Sequence, residues 1–229
     1  MNARSAMAYQ RPRRRLDCRL LAPTDLDAME SLHRLSTAGM EPHLVKRESR
    51  EFLDSLLSGR GTVFGALAGE QLVAYGVLQH DLLAQDDPRA LLGIAPDRPL
   101  LKLAGAAVAP AWRGQALQRR LTARRIASAP PSAVLFATVS PGNCPSWRSL
   151  LGCGFAVRAL EYRYGGLARY LMVYDPSALR PDTTSASAQP LDSNCLAQQQ
   201  ALLHAGWQGV APGRVAGTLR LVPPVGASA

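Results

Sequence analysis

Residues 133–139 (Ala-Val-Leu-Phe-Ala-Thr-Val) form an uninterrupted apolar run just past the helix-breaking pair Pro130-Pro131. A run of this kind offers water no polar side, so it reads as a central strand buried on both faces. Such a strand needs a covering layer above and below it, which points to a sheet flanked by helices.

The segments around it supply those layers. A short strand from Leu16 to Leu21 ends at Ala22-Pro23, and Thr24 then caps a helix, with Asp27 three residues on in a variant of the capping box. Leu26, Met29, Leu32 and Leu35 recur every three residues and predict one apolar face through about Ser36. A second helix is predicted from Ser49 to Leu57, stopped by Gly59 and Gly61. The β-prone runs 62–67 and 71–79, parted by Ala68-Gly69-Glu70, read as a hairpin. Residues 81–99 are irregular and rich in breakers. One strand is then predicted from Leu100 to Val108, a helix from Gly114 to Ser128, and a short helix from Pro145 to Leu151. A last hairpin, 155–164 with 167–174, turns at Gly165-Gly166.

Composition narrows the class. At 229 residues and 47% apolar, the chain buries a sizeable core in one domain with extras, or in two small ones. No unbroken apolar stretch reaches the roughly 20 residues of a membrane helix. The start carries Arg11, Arg13, Arg14 and Arg15 but no apolar core of a secretory signal. Cys18, Cys144, Cys153 and Cys195 are scattered without metal-ligand spacing, so they read as reduced thiols of a cytoplasmic protein, and no metal is expected. The net charge of +9 reads either as attraction to a polyanion or as solubility, and composition does not choose. Nucleic acid is set aside because no recognition motif and no interleaved aromatics accompany the charge.

The informative stretch is Val108-Ala109-Pro110-Ala111-Trp112-Arg113-Gly114-Gln115-Ala116-Leu117-Gln118. Here a strand runs through a turn into a helix, whose first free N–H groups face outward at the positive end of the helix dipole. That is a seat for a pyrophosphate or similar anion, with Arg113 at its mouth. A second block, Asn143-Cys144-Pro145-Ser146, then Leu150, then Gly154-Phe155, follows the central strand.

Together the two blocks resemble the acetyl-CoA-binding segments of the GNAT superfamily of N-acetyltransferases, over about Leu16 to Asp175. The family pattern Arg/Gln-x-x-Gly-x-Gly/Ala falls on Arg113 to Gln118. The resemblance implies an α/β fold: a mixed, mostly antiparallel sheet splayed in the middle, with acetyl-CoA as co-substrate in the gap. Ala106 and Val108 would make the strand contacts, Arg113, Gly114, Gln115, Ala116, Leu117 and Gln118 would form the pyrophosphate loop, and Asn143 and Ser146 would touch the cofactor. It implies an acyltransferase acting on an amine of a small molecule or peptide, by direct attack in a ternary complex. The alternative is the same fold as a CoA-binding or partner-binding module without turnover.

This sequence departs from the pattern. Ala116 replaces the first glycine, which reads as a mild change because an opening helical turn has negative φ. Gln118 replaces the second small residue; its side chain would either clash with phosphate or donate a replacement hydrogen bond. Leu150 occupies the position of the family's tyrosine general acid and cannot transfer a proton, and strand 100–108 carries no glutamate base. The remaining candidates are His80 with Asp81, and Glu161, Tyr162 and Tyr164 on the last hairpin; His80 and Tyr162 are the catalytic choices.

Four regions are expected: a basic arm (1–15), the acyltransferase-like domain (16–175), a Ser/Thr/Ala/Pro-rich linker (176–192) and a helix-strand appendix (193–229). Leu196, Leu202, Leu203 and Trp207 are predicted to dock on the domain or on a second subunit of a homodimer.

Overall fold

The computed structural model describes residues 16–179 and 186–224, so the four arginines of the arm lie outside the described residues. In chain order the elements are β1 (Asp17–Leu20), α1 (Leu26–Thr37), α2 (Arg50–Ser55), β2 (Gly61–Ala68), β3 (Gln71–Gln79) and the short α3 (Arg89–Leu92). Then come β4 (Leu100–Lys102), β5 (Ala106–Val108), α4 (Leu117–Ser128), β6 (Val134–Val139), α5 (Cys144–Leu151), β7 (Ala156–Arg163) and β8 (Leu167–Tyr174). The chain closes with β9 (Gln189–Asp192), α6 (Leu196–His204), β10 (Gln208–Pro212) and β11 (Thr218–Val222).

Among the described residues the eleven strands belong to one sheet, in the order β1-β2-β3-β4-β6-β8-β7-β10-β11-β9, with β5 also on β3. The pair β4–β6 is parallel and the other pairs are antiparallel. The mixed, mostly antiparallel sheet implied by the resemblance is therefore present. Helices cover both faces: Met29, Leu32, Leu53 and Leu56 pack on Tyr75 and Val77. On the other face Leu121, Trp147, Leu151 and Leu203 belong to one core with Ala74, Leu78, Leu135 and Val157. The run 133–139 is buried on both faces: Leu135, Ala137 and Val139 join that second core, while Val134 and Phe136, at 0% exposure, pack with Leu100, Leu171 and Val173 under Leu82, Leu92 and Ile94.

Several local expectations change. The predicted strand 100–108 is two strands: Leu103 turns its N–H to Phe136 O (2.7 Å), and Gly105, at φ 73°, breaks the ladder before its carbonyl accepts from Val77 N (3.1 Å). In α1 the buried stripe is Met29, Leu32, His33, Ser36 and Thr37, while Leu35 is half exposed. A strict step of three residues drifts off a face with 3.6 residues per turn. Thr24 lies in a 3₁₀ turn rather than at the cap, and it is the Asp25 carboxylate that accepts from Ala22 N (2.9 Å) while pairing with Arg19.

The C-terminal region joins the same sheet. Residues 189–192, which composition assigns to the linker, form β9 against β11, and β10 is an additional strand. β10 meets β7 at Gly209–Val157. Leu203, Leu219 and Leu221 are buried with Val157 and Leu160, and Leu196, Leu202 and Trp207 pack against them, so the appendix docks on its own domain. The buried Gln199 clamps it: Tyr170 donates to its Oε1 (2.6 Å), and its amide donates to Asp192 O (2.5 Å).

Candidate active site

Parallel strands β4 and β6 pair from Leu100–Val134 to Lys102–Phe136. Beyond that point β5 stays with β3, while β6 continues with β8 to Val139–Tyr170, so a gap opens between 106–108 and 137–139. Hydrogen bonding alternates along an antiparallel pair. Gly105 O accepts from Val77 N and Ala109 N donates to Val73 O (2.9 Å), so the peptide groups of Ala106 and Val108 face the gap.

At the end of β5 a 3₁₀ turn (Pro110–Trp112) leads into the start of α4. The backbone there is left-handed at Gly114 (φ 77°) and at Ala116 (φ 56°). The expectation of negative φ at Ala116 is thus overturned: a methyl group stands where the backbone favours glycine. Leu117 turns into the core and anchors the helix. The exposed Arg113 reaches back through Nη2 to Ser36 O (2.8 Å) and ties the loop to α1. Gln118 donates through Nε2 toward Ser146 Oγ (3.4 Å), and Ser146 N donates to Asn143 Oδ1 (3.3 Å). The two sequence blocks therefore meet across the mouth of the gap.

Behind that mouth is a cavity of about 360 Å³ whose lining includes Ala106, Gln118, Asn143, Ser146 and Leu150. Its far wall carries Tyr164, at φ 54°, whose hydroxyl lies 3.1 Å from Thr138 Oγ1 and accepts from Lys102 Nζ at 3.3 Å. Lys46 Nζ, Lys102 Nζ and Arg169 Cζ stand 5.2, 5.7 and 6.0 Å from the Tyr164 ring centroid, at cation–π range. The segment between α1 and α2 roofs this end: Leu44, Val45 and Lys46 line the cavity, and His43 O accepts from Arg169 Nη1 (2.8 Å). His33 anchors that roof, because Glu48 N donates to its Nε2 (3.0 Å) and its Nδ1 meets the Tyr75 hydroxyl (2.8 Å). Burial pushes the His33 imidazole below its usual range, with Glu48 opposing.

No family model matches the sequence, and no curated protein does. Solved structures do. Arabidopsis thaliana NAA60 in complex with acetyl-CoA superposes over 72% of this chain and 100% of its own, at TM-score 0.57 and 18% identity. Escherichia coli ribosomal-protein-S18-alanine N-acetyltransferase covers 75% of this chain and 99% of its own (TM-score 0.52, 17% identity). A GNAT-family acetyltransferase from Streptococcus pneumoniae covers 70% and 99% (0.53, 15%). The chain has the GNAT fold.

Within the GNAT fold, the gap between β5 and β6 is the splay that the sequence implied. The two catalytic candidates do not line its cavity. His80 is exposed at the end of β3, where Nε2 meets Thr62 Oγ1 (2.8 Å), and Tyr162 is 56% exposed on β7. Tyr164, set beside them by sequence alone, is the hairpin tyrosine that does. Leu150 sits buried at the cavity wall. Two roof and wall residues, Lys46 and Arg169, had no motif to reveal them. The four cysteines are free. Among the described residues no cluster of His, Cys, Asp or Glu could hold a metal, and no helix is long and apolar enough to cross a membrane.

Proposed function

We propose that this protein is an acyl-CoA-dependent N-acyltransferase that moves an acetyl group from acetyl-CoA to an amine, by direct attack in a ternary complex. The observation that carries this reading is the parting of β5 from β6 onto a cavity whose mouth is formed by the first turn of α4 and the Asn143 turn. The residues fit the cofactor. Ala106 and Val108 turn peptide groups to the gap, as a pantetheine amide needs, and the α4 start presents N–H groups to a pyrophosphate. The Arabidopsis NAA60 structure, of the same fold, holds acetyl-CoA.

Acetyl-CoA supplies the acetyl group as an activated thioester. Transfer takes one proton from the amine and gives one to the departing sulfur. The second is assigned to the Tyr164 hydroxyl, which replaces the tyrosine missing at position 150 from another element. Lys102 and Thr138 hold that hydroxyl where β4 and β6 part. Glu48 and Asp86 are the carboxylates of the cavity lining, already facing Lys46 (3.0 Å) and Lys102 (3.7 Å). Much of the rate then comes from holding amine and thioester together.

Leu150 favours one other reading, CoA binding without turnover. Thermal shift with acetyl-CoA, followed by thiol release over a panel of amines, separates the two. Stabilisation with amine-dependent release supports acyl transfer; stabilisation with no release on any amine supports the binding module.

A further inference from the structure

The cavity lining carries an excess of positive charge. Of its side chains five are basic (Lys46, Arg60, Lys102, Arg125, Arg169) and two acidic (Glu48, Asp86). Lys46 and Lys102 face those acids, and Arg60 pairs with Asp81 (3.0 Å). Arg125 spends its nitrogens on Leu121 O, Val77 O and Thr122 Oγ1. Arg169 differs. It is 4% exposed, its Nη1 donates to two carbonyls (His43 O and Ala168 O, both 2.8 Å), and its buried Nη2 has no acceptor among the described residues. A buried cation with neutral partners and an unused donor is costly, and a carboxylate is the group that offsets both deficits through the guanidinium fork. Burial pushes Arg169 below the ordinary arginine value, with Tyr164 opposing.

The position of Arg169 decides which ligand it serves. The groups proposed for the pyrophosphate lie at the α4 end, whereas Arg169 stands beside Tyr164 at the opposite end, under the roof formed by residues 43–46. That end is the acceptor's side, and about 360 Å³ shared with the thioester leaves room for a small molecule. We propose that the acceptor is a small amine bearing a carboxylate, received by Arg169 with Lys46 and Lys102 beside it. The inference rests on the acyl-transfer reading and names the substrate class of that site.

The test compares matched acceptors on the full chain with acetyl-CoA: glycine, β-alanine, γ-aminobutyrate and L-glutamate against their carboxamides and against aminomethylphosphonate. The expected result is at least about tenfold higher kcat/KM for one or more carboxylates than for the matching amide, the worth of a charge-assisted hydrogen bond. Arg169→Gln should raise the KM of that amine about tenfold and leave the KM of acetyl-CoA within about twofold, with Arg169→Lys between the two. Equal turnover of amides, or preference for the phosphonate, overturns the inference, and both are read on the unaltered protein. If no amine is acetylated, the acyl-transfer reading fails, and thermal shift of the CoA complex decides the rest. Stabilisation by carboxylate amines over their amides upholds the carboxylate site, and its absence overturns it.

Discussion

Tyr164 is held at φ 54° just past the end of β7, a backbone state that is uncommon outside glycine and collects at functional positions. Strand alternation alone would put Tyr162 and Tyr164 on one face; the left-handed turn separates them, sending Tyr164 to the cavity and leaving Tyr162 in solvent. Tyr164→Phe should lower kcat about 100-fold with little change in the KM of acetyl-CoA; steady-state kinetics on the best amine measures this, and an unchanged kcat removes the proposed acid. Ala116 is the other strained residue. Ala116→Gly should raise stability by about 1 kcal/mol by relieving a left-handed alanine, and thermal unfolding checks it. The motif positions Arg113 to Gln118 were legible because residue type and spacing carry them. The strain at Ala116 was not, since a helix start reads as right-handed until its turn is seen.

The roof between α1 and α2 hangs on His33. With Glu48 N–H donating to Nε2, the ring is neutral and protonated at Nδ1 toward the Tyr75 hydroxyl. A folded-state pKa below the unfolded one means the His33 contribution is present above about pH 6.5 and is lost as pH falls through the lower folded value. Melting temperature should therefore fall on acidification below about pH 6.5, and His33→Asn should flatten that slope; the same slope in the variant would place its cause elsewhere. Elements with long clean patterns, such as 133–139 and the hairpins, could be read from sequence. The break at Gly105, which makes the gap, could not. An apolar run 100–108 looks continuous until Phe136 takes the Leu103 N–H and β3 takes the Gly105 carbonyl.

In the whole molecule, the C-terminal strands cover what would otherwise be the open edge of β7, and open edges invite pairing between chains. Composition revealed the docking leucines of α6 but not β9 or β10, whose short Pro- and Gly-containing runs (Gln189–Asp192, Gln208–Pro212) resemble linker. A chain ending at residue 188 should aggregate or melt at markedly lower temperature, and Trp207→Ala should lower the melting temperature in part; a truncated chain that is soluble and equally stable would contradict this account of the edge. The splayed sheet draws the remaining features together: the α4 start at one end of the gap, Tyr164 and its cations at the other. A crystal structure of the protein with acetyl-CoA tests that arrangement most directly. It should show pantetheine along the Ala106–Val108 edge, pyrophosphate at Gly114–Gln118 and the thioester beside Tyr164. A ligand bound elsewhere, or an empty gap at saturating acetyl-CoA, would contradict it.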